Sequence, residues 1–194
     1  TLVYFYWQDS KRCLSILKKS EAIALKYNYE NLKLECYKAL SERHLLDDNL
    51  DLALLYSQKE YELSLRLKKF QDLPYTYLGF AEIHRKLKNK TLALSYYNMA
   101  IDAAKKNNVK IHLGWSYNHK MHYFFEEKEI DSTIFYAQKS AFTFENSIKK
   151  NSAIQSYKVL LEIYRNKNID SAFKYSEKVN EIILKEISSK KLQD

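Results

Sequence analysis

The chain has 194 residues, with 32 Lys and Arg against 24 Asp and Glu for a net charge of +8, 46% hydrophobic residues, 2 Gly and 1 Pro. That length is ample for a packed core, but so few turn-forming residues argue against a strand-rich fold. Gly79 and Gly114 begin no G-x-G-x-x-G or G-x-x-x-x-G-K run, which argues equally against a glycine-built phosphate site.

The longest apolar runs, such as Leu52 to Tyr56, fall far short of the roughly 20 residues of a membrane span. The N-terminus, Thr1 to Trp7, has neither an initiator methionine nor basic residues ahead of an apolar stretch, so it reads as a cut edge and not as a signal peptide. Cys13 and Cys36 are too few for a disulfide framework and read as buried or half-buried thiols. They leave the compartment open, with cytoplasm favoured and a periplasmic location compatible.

A fixed internal period is the strongest signal. Cys13-Leu14-Ser15-Ile16, Ala53-Leu54-Leu55-Tyr56, Ala93-Leu94-Ser95-Tyr96, Thr133-Ile134-Phe135-Tyr136 and Ala172-Phe173-Lys174-Tyr175 begin 40, 40, 40 and 39 residues apart. Asp51, Thr91, Asp131 and Asp170 stand just upstream as helix-start signals. Nine residues ahead of each small residue a bulky one recurs as Tyr4, His44, His84, Phe124 and Ile163. Three before that stand Ser41, Ala81, Met121 and Leu160. Apolar spacing of three to four on both sides of each polar connector predicts helices throughout. In chain order these are a partial helix over 1–7, then 10–27, 30–46, 50–69, 74–88, 91–107, 110–127, 131–149, 151–166 and 169–188. Pro74 fits the first turn of its helix, where a missing amide costs nothing.

These residues resemble the tetratricopeptide repeat family. The third repeat carries the likeness best, with Tyr77, Phe80, Ala81, His84, Ala93, Tyr97 and Ala100 at the family's packing positions. The period is about 40 in place of the family's 34, the first-helix glycine is replaced by Ser41, Ala81, Met121 or Leu160, and the closing proline is absent. Longer helices follow, as in bacterial peptide-sensing regulators and sensor proteins. The resemblance implies an all-α, right-handed α-solenoid of antiparallel helix pairs. It covers residues 1–194 as one repeat domain, divided at about 1–28 (partial), 29–70, 71–108, 109–150 and 151–190, as a fragment of a larger chain.

The resemblance also implies a concave face lined by the first helix of each pair. Helical spacing places there Phe5, Tyr6, Lys38, Glu42, Leu45, Tyr75, Leu78, Glu82, Arg85, Trp115, Asn118, His119, His122, Phe125, Tyr157, Leu161, Tyr164 and Arg165. An aromatic, mixed-charge groove suits an extended peptide or a helix. The Lys and Asn carboxylate clamp of the family's chaperone-binding branch is not reproduced, because Glu42 follows Lys38 and His122 follows Asn118 by one turn.

His119, His122 and Glu126 have a spacing that could bring three ligands to one helix face, but without an H-E-x-x-H run they read as groove-lining residues. His44 and His84 stand at a packing position. Four of the five lysine doublets (Lys68-Lys69, Lys105-Lys106, Lys149-Lys150 and Lys190-Lys191, the fifth being Lys18-Lys19) fall near the ends of second helices, where cations complement the helix dipole, so direct nucleic-acid contact is not expected. Nothing shows an activated nucleophile, a metal motif or a phosphate cradle, so neither catalysis nor a cofactor is expected. The reading is a protein- or peptide-binding module, sensory or scaffolding, within a larger regulatory protein. The alternative is the sensor array of a transcription regulator or kinase whose chemistry lies in another domain. Self-association as a homodimer stays open.

Overall fold

A computed structural model of the chain describes residues 10–191, and every regular element among them is helical. The helices are α1 (Ser10–Lys26), α2 (Glu30–Leu46), α3 (Leu50–Arg66), α4 (Leu73–Lys86), α5 (Lys90–Lys106), α6 (Lys110–Glu126), α7 (Ile130–Glu145), α8 (Ala153–Tyr164) and α9 (Ile169–Lys191), with a 3-10 turn at Lys150–Ser152. The fold is all-α and repeat-like. Its residues divide into two compact units, one ending at Ala103 and one beginning at Ala104. The expected partial helix over 1–7, with Tyr4, Phe5 and Tyr6, lies outside the described residues.

The 40-residue spacing is built from a 20-residue one. Helices α1, α2, α3, α5 and α6 each have 17 residues. Six helices end on a residue with positive φ, at Asn28, Asp48, Lys68, Lys88, Asn108 and Lys128, spaced 20 apart. The amide of the residue after each reaches back across the last turn: Tyr29 to the Ala24 carbonyl at 2.9 Å, Asn49 to His44 at 2.8 Å, Asn89 to His84 at 2.9 Å, Glu129 to Phe124 at 2.9 Å. This left-handed residue with its long backward bond satisfies carbonyls that the helix end leaves unpaired, a task glycine usually performs. Here Asn, Asp and Lys do it.

The cap positions lie two residues ahead of the expected start signals, at Asn49, Asn89, Glu129 and Asn168. Asp51, Asp131 and Asp170 lie inside the first turn of α3, α7 and α9, and Thr91 is the second residue of α5. There the carboxylates complement the positive helix end without capping it. The capping oxygens come from Asn89, which accepts from the Leu92 amide at 3.2 Å, and Asn168, which accepts from Ser171 at 2.9 Å. Helix α7 stops at Glu145, short of the expected 149. Asn146 Nδ2 donates to the Phe142 carbonyl at 2.8 Å and Ser147 Oγ to Phe144 at 2.9 Å, so side chains take over the bonds that another turn would make.

The small residues of the period are all packed away: Ala53, Ala93, Thr133 and Ala172 are buried, as is Cys13. Beside them each repeat builds a three-ring stack in which the second-helix tyrosine lies between two first-helix rings seven residues apart. In the first unit Tyr56 meets His44 (centroids 5.6 Å apart, planes at 8°) and Tyr37 (6.1 Å), and Tyr96 meets His84 (5.5 Å, 3°) and Tyr77 (6.4 Å). In the second unit Tyr136 meets Phe124 (5.5 Å, 9°) and Tyr117 (6.2 Å), and Tyr175 meets Tyr164 (5.7 Å) and Tyr157 (6.0 Å). Ring pairs at such separations add to the area they bury. His44 and His84 thus serve as packing rings. Both imidazole nitrogens of His44, and Nδ1 of His84, are buried without a hydrogen-bond partner.

The second unit has a continuous core of Met121, Ala137, Ala141, Phe144, Ala153, Tyr157, Leu160 and neighbours. In the first unit the small residues also carry polar bonds: Ser41 Oγ lies 3.2 Å from the Ala53 carbonyl, to which it donates, and 2.6 Å from Ser57 Oγ.

Candidate functional site

The expected inner-face residues fall in both units, with Tyr75, Glu82 and Arg85 in the first and Trp115 to Arg165 in the second. Several are consumed by packing. Tyr157 is buried and stacked on Tyr175, and Tyr164 lies on the other side of that ring, so both belong to the fourth ring stack and not to an open face. Tyr164 takes this place from Ile163 because the last repeat is one residue shorter. Asn118 is buried, with its Nδ2 donating to Ser156 Oγ at 3.4 Å. Phe125 packs against the second unit's core. Tyr157 and Asn118 are thus buried, and Tyr164 and Phe125 half-buried, in packing contacts.

Of the remaining second-unit residues, Trp115 is 39% exposed with its ring edge-on to Phe144 at 5.1 Å, His119 and His122 are half-buried, and Arg165 is exposed. Glu126 is exposed, and among the described residues no group of three or more His, Cys, Asp or Glu is arranged to hold a metal ion.

The first unit holds a denser constellation. Glu82 is held at both oxygens, with Tyr97 donating its hydroxyl to Oε1 at 2.7 Å and Arg85 donating from Nε to Oε2 at 2.8 Å. A ligand arriving at Glu82 and Arg85 would meet an ion pair already tied to α5. Near the start of α4 the Lys38 ammonium, from α2, lies 4.4 Å from the centre of the Tyr75 ring. One turn along α2, Glu42 makes no hydrogen bond or ion pair among the described residues, and burial raises its carboxyl against the pull of Lys38.

Behind them is a residue that the inner-face pattern did not include. Glu60 of α3 is only 4% exposed, and its Oε1 accepts from Thr76 Oγ1 at 2.8 Å. Burial pushes this carboxyl up to about 7; the Thr76 bond and the Lys38 charge oppose the rise, while the charges of Glu42 and Asp72 add to it. The repeat register held a signal for it, because forty and eighty residues on stand Ala100 and Ser140, both fully buried. A carboxylate in a small-residue register is a departure that packing does not require.

Among the described residues no helix is long and apolar enough to cross a membrane. No family model matches the chain and no curated protein matches it. Among solved structures, the crystal structure of BtubC (BKLC) from P. vanneervenii is similar, with a TM-score of 0.72 and 15% identity over 88% of this chain and 72% of that one. A likeness at that identity speaks to the fold, an all-α helical repeat-like arrangement.

Proposed function

We propose that the chain is a tetratricopeptide-type array acting as a non-catalytic module that binds a peptide or protein segment on its first-helix face, as the sensory or scaffolding part of a larger regulatory protein. The observation that carries this reading is the group Lys38, Glu42 and Tyr75 on α2 and α4: partly buried charges beside an aromatic ring, with neither Lys38 nor Glu42 in an ion pair among the described residues. Partly buried charges outside a close ion pair keep part of their desolvation cost, which a ligand's complementary groups can offset. The buried small residues of the second helices and the aromatic packing of the third repeat support the repeat assignment, since they stand where the resemblance places the family's packing residues.

The test is selection from a phage-displayed library of short peptides against the folded chain. Selected peptides should lose at least tenfold in affinity when Tyr75→Ala and Glu42→Ala are combined, with the urea melt kept. Phe173→Ala, at an exposed second-helix position, should leave them unchanged. Peptides that survive the double substitution and are lost with Phe173→Ala would place binding on the other face and overturn the reading.

A further inference from the structure

We infer that the first unit's inner face is a receptor for a cationic side chain, a lysine or arginine of a bound peptide, held between the Glu42 and Glu60 carboxylates and the Tyr75 ring, where Lys38 now stands. This rests on the peptide-binding reading and gives it a chemistry.

Three observations converge. Glu60 is more than nine-tenths buried, yet only one of its oxygens is hydrogen-bonded among the described residues, to Thr76. Glu42, on the neighbouring helix, has no hydrogen bond or ion pair there. The Tyr75 ring already accepts an ammonium on its face, that of Lys38 at 4.4 Å. A carboxylate pair beside an aromatic face is the arrangement that stabilises a cation, by charge-assisted hydrogen bonds on one side and the ring quadrupole on the other. Packing does not account for Glu60, whose register neighbours Ala100 and Ser140 fill the same place with small side chains. Lys38 brings one positive charge to two carboxylates without pairing with either, so the site keeps an acidic balance in a chain of net charge +8. Lys38 acts as an internal occupant that an arriving cation displaces.

The site is linked to protons. The groups facing Glu60 are Lys38 and Glu42 from α2 and Asp72 and Thr76 from the start of α4. With Glu60 titrating near 7, the pair carries its full negative charge only above that pH. A cation binds the ionised pair, so its affinity rises from pH 6 to pH 8 and binding near pH 7 releases a proton.

The test uses four capped pentapeptides with the sequence Ala-Ala-X-Ala-Ala, where X is Lys, Arg, norleucine or Glu, titrated into the whole chain with amide shifts of Glu42, Tyr75 and Thr76 as the readout. The Lys and Arg peptides should shift these resonances saturably and bind at least tenfold more tightly than the norleucine peptide, and more tightly at pH 8 than at pH 6. Glu42→Gln combined with Glu60→Gln, which keeps the acceptor for Thr76, should remove that preference. Lys38→Met should strengthen it severalfold by removing the internal competitor. If the norleucine or Glu peptide binds this face as tightly as Lys, or if Lys38→Met abolishes binding, the cationic receptor is overturned while the peptide-binding face stands. If no peptide perturbs this face of the folded chain, both readings fall.

Discussion

Gly114 on α6 faces the ring of Phe144 on α7 so closely that a methyl group at Gly114 would stand 2.7 Å from Cε1 and 2.8 Å from Cδ1 of that ring. Phe144 is fully buried, so the ring has nowhere to withdraw. The same close approach lets Ser140 Oγ donate to the Gly114 carbonyl at 3.2 Å. Gly114→Ala should therefore destabilise by about 1–3 kcal/mol through overpacking. Gly79, in α4, has Ser57 Oγ at an ordinary 3.5 Å from such a methyl group, so Gly79→Ala should stabilise by about 0.5–1 kcal/mol from helix propensity alone. Urea melts of the two variants should move in opposite directions. A shift of the same sign for both would contradict this packing.

The lysines at Lys68, Lys88 and Lys128 hold φ of 55°, 59° and 62° at helix ends, a conformation that strains any residue with a β-carbon. Glycine at each should stabilise by about 0.5–1 kcal/mol. Lys139→Gly, at an exposed site inside α7, should cost about 1 kcal/mol and serves as the control. Thermal melts of the four single variants check both signs.

His44 and His84 do the work of Phe124 while leaving ring nitrogens buried and unbonded. Phenylalanine at either position should keep the stack and add about 1 kcal/mol at pH 7.5 by removing an unsatisfied polar group. The pH dependence has a definite sign. Burial lowers both imidazoles, with the Lys18 charge adding to the effect at His44, so the unfolded chain takes up its protons first as pH falls. Their contribution is complete above the ordinary histidine range and declines below it. His44→Phe with His84→Phe should gain relative stability as pH is lowered from 7.5 to 5.5, read from urea midpoints.

The pairing of helices was legible because Ala53, Ala93 and Ala172 sit where only small side chains fit, and such residues announce themselves in a sequence rich in large ones. The 20-residue turn spacing was not legible, because its positive-φ residues are Asn, Asp and Lys in place of glycine. Helical spacing alone put Asn118 and Tyr157 on an open stripe. It could not foresee that Asn118 would spend its amide on Ser156, or that Tyr37, Tyr77, Tyr117 and Tyr157 form a register of their own against the second-helix tyrosines. Glu60 could have been found by aligning the repeats, since its charge interrupts a register of small residues. Its bond to Thr76 could not, because that contact depends on how α3 meets α4.

That bond gives the remaining prediction. Glu60 is raised to about 7 in the folded chain against an ordinary 4.5, so the folded state holds its proton where the unfolded state has released it. For a raised group the stabilising contribution is full below the unfolded value and is lost as pH climbs through the folded one, here from about 4.5 to about 7. Glu60→Gln stays neutral throughout and still offers an acceptor to Thr76. At 1.36 kcal/mol per pH unit the variant should exceed the parent by about 3 kcal/mol at pH 8, shrinking to a few tenths by pH 4. Thr76→Val should act the other way, since losing the hydroxyl removes the hydrogen bond that favours the ionised form and steepens the loss of stability toward alkaline pH. Urea unfolding at pH 4, 6 and 8 for the parent and both variants measures these slopes. Parallel curves for parent and Glu60→Gln would mean that Glu60 is ionised at its ordinary pH, and that its burial does not govern its charge.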